Sequence, residues 1–336
     1  MSRPPSLRHR LEAAAYAAAE AGLRLLPWRA CQALGRRLGD LVHLLDARHR
    51  RVVRQNLRES DLGLDEAAVR ATARRCFRHF GALFCTTPKL LHATPEELDR
   101  WVKFEGLEHW DAAAALGRGF IGLTGHYGHW EAMALALSHQ GRTLSVIGRE
   151  LDNPLLEAKM KALRGGFGNR VILKNGAVRE ALKELKRGQG VGFLLDQDAL
   201  TSGVFVKFLG HWASTFPTAG LLAVKYQLPV VPIFSRFEPD GTVLVTVEAP
   251  FQVPRTGDTE RDVWTATQLM TRCIEDRIHR DPHCWFWMHR RFKTRPGEGN
   301  PLPAPLPPEE WRTALPAPAT LGLGPHTPEV LCRSTS

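Results

Sequence analysis

No stretch of this chain offers the ~20 uninterrupted apolar residues that a bilayer-crossing helix needs. The most apolar N-terminal segment, Leu11 to Trp28, is broken by Glu12, Glu20 and Arg24. A full membrane span is therefore not expected, and charges inside the apolar stretch also argue against a secretory signal. C-x-x-C pairs are missing too. The six cysteines (Cys31, Cys76, Cys85, Cys273, Cys284 and Cys332) are scattered without metal-ligand spacing. They read as reduced thiols in a cytosolic setting rather than a disulfide framework. There is no G-x-S-x-G elbow, no G-x-x-x-x-G-K-[ST] loop and no dinucleotide fingerprint. RGGFG (Arg164 to Gly168) has the glycines but not the spacing. Serine hydrolase, P-loop and dehydrogenase chemistries drop out with these motifs. Lysine is absent from the first 60 residues, where twelve arginines face five acidic residues and carry +7 of the net +10.

What is present is the composition of a folded protein, 43% hydrophobic and 24% charged over 336 residues. The basic excess favours an acidic partner: nucleic acid, an anionic membrane surface, or a phosphorylated or carboxylated substrate. Leu11 to Trp28 has two readings. One is a helix lying in the membrane interface with its arginines toward anionic headgroups. The other is an amphipathic helix of the core.

Periodicity divides the chain in three. Residues 1–95 read as helices, over Leu11–Leu26, Ala30–Asp46, Arg48–Arg58 and Asp65–Leu91, with Pro88 and Pro95 expected to interrupt before Trp101. Residues 96–296 alternate. Apolar, β-branched runs at 119–125, 143–149, 170–174, 191–197, 230–237 and 242–250 read as strands, and helical stretches separate most of them. That alternation implies a mostly parallel sheet with helices on its faces, whose site lies beyond the carboxyl ends of the strands. Residues 297–336 are rich in Pro and Gly, read as extended or disordered, and carry no expected chemistry.

The most informative motif is GHYGHWE, Gly125 to Glu131, at the end of the apolar run GFIGLTG. A histidine held by a carboxylate can take a proton from a hydroxyl near neutral pH, as acyl transfer from a thioester to an alcohol requires. Glu131, in the first turns of the following helix, is spaced to reach back to His126. The plainer reading is a helix-start glutamate beside a polar loop histidine. His129 adds a second imidazole, but the spacing differs from that of the zinc-binding H-E-x-x-H, and no metal is expected. Arg149 at a strand end and Arg164 at a helix end can each clamp a phosphate or steady an oxyanion, or lie solvated at the surface. Asp196-Gln197 closes the apolar run VGFLL, either as a functional carboxylate or as a turn. His126, Arg149 and Asp196 all fall at strand ends, so they can converge. WFWMHRRFKTRP (Trp285 to Pro296) mixes aromatics with basic residues, which suits nucleic acid, an anionic lipid surface or a cap on the core.

Taken together these motifs resemble those of the late acyltransferases of lipid A biosynthesis, the lauroyl and myristoyl transferases within the wider group of H-x4-D/E glycerolipid acyltransferases. The resemblance spans roughly Arg48 to Pro296. It is carried by Arg51, Arg54, Asn56 and Leu57; by His126, Gly128, Trp130 and Glu131; by Arg149, Asn153 and Arg164; by Asp196-Gln197; by VFVKFLGHWAST before Pro217; and by Trp287, Arg290, Arg291, Lys293, Arg295 and Pro296. It implies a glycerol-3-phosphate-acyltransferase-like mixed α/β sheet flanked by helices, with an N-terminal helical segment facing the membrane. It implies transfer of a fatty acyl chain to a lipid hydroxyl, with His126 as general base, Glu131 as its orienting partner, Arg164 at the oxyanion, and Asp196 positioning Arg164 or the acceptor. The donor would be acyl carrier protein or coenzyme A as cosubstrate, with no cofactor. The partners would be the carrier protein, an anionic glycolipid or phospholipid, and the cytoplasmic face of the inner membrane, and no nucleic acid. The family carries Asn where this chain has His129.

Overall fold

The computed structural model describes residues 5–148, 150–173 and 176–297. Arg149 and the Pro-rich tail from residue 298 on lie outside the described residues. Four helices open the chain: α1 (Leu7–Leu25), α2 (Trp28–Leu45), α3 (Ala47–Glu59) and α4 (Glu66–Leu90). Side chains set their starts. Asp46 accepts the His49 N–H at α3, and Asp65 accepts the Ala68 N–H at α4. Two sequence expectations need correction here. Pro88 lies inside α4 rather than ending it: it forfeits one N–H to the i−4 carbonyl, and the helix runs only two residues further, to Leu90. Pro95 starts a helix, α5 (Pro95–Trp101), at a position where its missing N–H is no loss, behind a Thr94/Glu97 capping box.

Strands and helices then alternate: β1 (Val102–Glu105), α6 (Leu107–Ala114), β2 (Phe120–Thr124), α7 (Trp130–His139), β3 (Leu144–Gly148), α8 (Pro154–Arg164), β4 (Arg170–Leu173), α9 (Ala177–Lys186) and β5 (Gly190–Leu194). A hairpin follows, β6 (Val204–Phe208) and β7 (His211–Thr215), then α10 (Thr218–Tyr226), β8 (Pro229–Phe237), β9 (Val243–Val247), β10 (Phe251–Gln252) and α11 (Thr259–Arg280). The main sheet runs β1-β9-β8-β2-β5-β3-β4, with β10 beside β8. Its pairs are parallel except β8 with β9 and with β10. The fold is thus a mixed α/β sheet flanked by helices.

β2 is buried at every position, as its unbroken apolar run requires of a central strand. Residues of one face, such as Ile121, Leu123, Val191 and Phe193, pack with α3, α4, α10 and α11. Those of the other, such as Phe120, Leu144, Val231 and Ile233, pack with α5, α6 and α7. Hydrophobic packing therefore runs across the change of pattern near residue 95. The hairpin turns through Leu209 and Gly210, both at positive φ (50° and 84°), the geometry that matches strand twist in a two-residue loop. Helices α2 and α4 approach closely because glycines line the seam. A Cβ at Gly35 would fall 2.3 Å from the Gly81 carbonyl oxygen, and one at Gly39 2.2 Å from that of Phe77.

Candidate active site

Parallel pairing of β2 and β5 sets Thr124 opposite Leu194. Two residues further along each strand, the same register brings His126 beside Asp196. The imidazole Nδ1 lies 2.8 Å from Asp196 Oδ1, and the His126 backbone N–H donates to Oδ2 at 2.6 Å. Trp285 Nε1–H donates to the same Oδ2 at 2.7 Å. Burial opposes ionisation of Asp196. The adjoining imidazole of His126 outweighs it, helped by His289 and the indole N–H, and holds the carboxyl well below the usual range. An ionised Asp196 fixes the proton on His126 Nδ1. Nε2 is then left as an acceptor, 3.4 Å from the Gln197 amide nitrogen.

Glu131 is not the partner of His126. It starts α7, whose first turn faces α8, and its carboxylate takes a forked contact from Arg164, with Nη2 at 2.6 Å and Nε at 3.1 Å. Trp130 Nε1–H donates to it as well, at 3.2 Å. The carboxylate at the histidine is thus Asp196, and the carboxylate at the arginine is Glu131. Burial pulls the Arg164 pKa down, but Glu131 overcomes it and the guanidinium stays above its ordinary value. Gly148 leaves the room for it, since a Cβ there would lie 3.3 Å from Nη1.

His126, Trp130, Glu131, Arg164 and Gln197 border a cavity of ≈260 Å³. Apart from Thr124, its remaining wall is apolar, with Met133, Leu144, Val146, Ile147, Leu194 and Ile233 among its side chains. Gly122 and Gly192, paired across β2 and β5, add no side chain at their own two positions in the sheet. An apolar slot ending at a histidine, beside a fixed cation, can hold an alkyl chain with its carbonyl at the imidazole.

His129 faces the other way. It is fully buried. Its Nδ1 caps α7 by accepting the Ala132 N–H, and its Nε2 meets Thr86 Oγ1 at 3.0 Å. Its backbone N–H donates to Ser235 Oγ. Burial lowers its pKa to about 3, so it is neutral. Gly128, at φ 63°, permits this turn, because a Cβ there would sit 1.6 Å from the Ser235 carbonyl oxygen.

The C-terminal motif also resolves. Trp285, Trp287 and Arg291 are fully buried and cap the core. Arg291 donates through Nη1 to the carbonyls of Gln197 and Ser214 and through Nη2 to Thr215 Oγ1, clamping the end of β5 to β7. Asn56 donates to the carbonyls of Trp287 and His289 and so ties α3 to the same segment. Arg290, Lys293 and Arg295 line a second cavity of ≈320 Å³ with Arg48 and Arg51. Trp285, read in its motif for nucleic acid, lipid or a cap on the core, and Asn56, given no separate role, are the residues that brace the site. Asn56 had a signal, an amide between arginines, whereas Trp285 stood among other aromatics and had none of its own.

Similarity to known proteins agrees with this geometry. The profile of the bacterial lipid A biosynthesis acyltransferase family matches residues 1–294. The lipid A biosynthesis lauroyltransferase of Escherichia coli K12 is 29% identical over 280 residues, covering 82% of this chain and 89% of that protein. The myristoyltransferase of the same strain is 25% identical over 287 residues, covering 84% and 88%. The palmitoleoyltransferase is 25% identical over 291 residues, covering 81% and 87%. A sheet that sets a carboxylate-held histidine at the head of an apolar slot, in a chain matched nearly end to end, leaves one assignment: this enzyme belongs to the bacterial lipid A biosynthesis acyltransferase family.

Proposed function

We propose that the enzyme moves a fatty acyl chain from a carrier thioester, acyl carrier protein or coenzyme A, to a hydroxyl of a lipid A precursor. The observation that carries this reading is the His126–Asp196 pair opening on an apolar cavity with Arg164 at its rim. His126 Nε2 takes the acceptor hydroxyl proton as the oxygen attacks the thioester carbonyl. Arg164, held by Glu131, steadies the negative charge that develops on the carbonyl oxygen. The C–S bond then breaks, and the departing thiolate recovers the proton from the imidazolium. No acyl-enzyme forms.

The surface supports a membrane-bound lipid acceptor. Helix α2 buries Cys31, Gln32, Gly35 and Gly39 and exposes Leu34, Leu38, Leu41, Val42 and Leu45. Its leucines thus face outward while its glycines face α4. No helix among the described residues is long and apolar enough to cross a membrane. An outward apolar stripe in an arginine-rich segment suits a helix lying in the interface on the cytoplasmic side of the inner membrane, with its cations among anionic headgroups. The five cations around the second cavity suit an acidic carrier protein or a lipid phosphate.

The test is a transfer assay with purified protein, a panel of acyl carrier protein and coenzyme A thioesters, and lipid A precursors, read by mass spectrometry. Acylated lipid A precursor is the expected product. Transfer confined to lysophospholipid or another glycolipid would overturn the acceptor, and lipid A acylation unchanged in a deletion strain would do the same.

A further inference from the structure

Behind the active loop, on the side away from the apolar cavity, three soft or borderline ligand groups meet. His79 projects from α4, while His283 and Cys284 come from the turn after α11. The Cys284 Sγ lies 3.9 Å from His79 Nδ1 and 3.6 Å from His283 Nε2. All three candidate ligand atoms fall within 4.8 Å of one another. Bond lengths of about 2.05 Å to nitrogen and 2.3 Å to sulfur put N···S at about 3.6 Å in tetrahedral zinc coordination. The two observed edges already lie close to that.

The far nitrogens, His79 Nε2 and His283 Nδ1, are buried without hydrogen-bond partners. His79 is 7% exposed and Cys284 2%. The cluster opens on a cavity of ≈640 Å³ that also holds Asp281, which gives a cation a way in and leaves a fourth position for water or a carboxylate. Four arginines line that cavity; Arg78 is paired with Asp40 and Arg236 with Glu238, which leaves Arg36 and Arg75 as the charges a bound cation must tolerate. Arg75 Nη2 stands 3.4 Å from His283 Nε2 and must move off for that nitrogen to bind a metal. Its side chain is exposed and has solvent to move into.

We propose that His79, His283 and Cys284 form a site for a thiophilic divalent cation, zinc, that braces the active loop from behind. The coupling is short. The Cys284 carbonyl accepts the Gly128 N–H at 2.9 Å, Trp285 holds Asp196, and the Phe286 N–H donates to the His126 carbonyl at 3.0 Å. A metal here would fasten α4 to the segment that orients the histidine–aspartate pair. Binding releases the thiol proton, so the Cys284 sulfur enters as thiolate.

The experiment uses the full chain, stripped with a chelator, titrated with zinc against a chromophoric competitor, and in parallel with cobalt(II). The proposal expects one zinc per chain, a thiolate-to-cobalt charge-transfer band, and X-ray absorption showing one sulfur with nitrogen ligands. It also expects the thermal unfolding midpoint to rise with zinc. Cys284→Ser should lose the band, and His79→Gln should weaken zinc by at least ~100-fold, beyond the loss typical of an outer-shell partner. Absence of stoichiometric zinc in the wild-type chain overturns the proposal whether or not the variants fold. A band that survives in folded Cys284→Ser, checked by circular dichroism, overturns it as well.

Discussion

The loop end and the helix end of GHYGHWE differ in every physical respect although three residues separate their histidines. At the loop end, His126 continues β2 in register with β5. It meets a buried carboxylate, and its side chain keeps 18% exposure at the cavity. At the helix end, His129 is sealed between α4 and the sheet, where it caps α7 and stays neutral. Glu131, two residues on, turns to α8 and fixes an arginine. One short motif thus supplies a carboxylate-held histidine at a cavity, a structural cap and a cation holder. Residue type alone does not sort them; which element each residue faces does.

The sharpest test of that division is His126→Ala. Activity should fall by about 10²–10⁴-fold, the usual worth of a general base, with the unfolding midpoint little changed. Asp196→Asn should lose nearly as much, because an amide no longer fixes the proton on Nδ1. Steady-state kinetics with thermal melts read both. Full activity in Asp196→Asn would return the orienting role to some other group. Next comes Arg164→Gln, expected to cost about 10²–10³-fold in kcat with modest change in KM, as loss of an oxyanion donor does. Glu131→Gln should cost less, about 10–100-fold, since it leaves the guanidinium in place but no longer held. If Glu131→Gln matched His126→Ala while Arg164→Gln was mild, the two carboxylates would have to exchange roles.

How much of this was legible beforehand follows from what sets each feature. The central strands and their helices were readable, because buried parallel strands are continuous apolar runs and amphipathic helices carry their own period. β1 and the β6–β7 hairpin did not emerge as strands: β1 has four residues at the sheet edge, and the hairpin lay within a motif read for its identity. His126 and Asp196 both stood at strand ends in the sequence, but which strands are neighbours is a topological fact. β5 sits between β2 and β3 although α7 to α9 intervene in the chain. Local spacing favoured Glu131 because it measures distance along the chain, whereas the sheet brings together residues 70 positions apart. The brace from Trp285 and Asn56 depends on contacts longer still.

The smallest expected effect on catalysis, and the one that completes the comparison, belongs to His129. An Asn Oδ1 accepts the same helix-start N–H that His129 Nδ1 accepts here, so the site asks for a cap rather than a base. His129→Ala should destabilise by about 2–4 kcal/mol, from the lost cap and the cavity left behind. Activity per folded molecule should stay within about threefold. His129→Asn should restore the cap while losing the contact to Thr86. The pH dependence separates the two histidines further. His129 titrates at about 3 in the fold and near the ordinary histidine value when unfolded, so the unfolded chain binds a proton that the native site refuses. Its contribution to stability is complete above about pH 6.5 and falls as the pH drops toward 3, by about 2 kcal/mol at pH 5. Urea melts at pH 7 and pH 5 should therefore show a smaller acid loss in His129→Asn than in the wild type. An equal loss in both would mean that His129 is protonated in the native state, and the contrast with His126 would fail at its helix end.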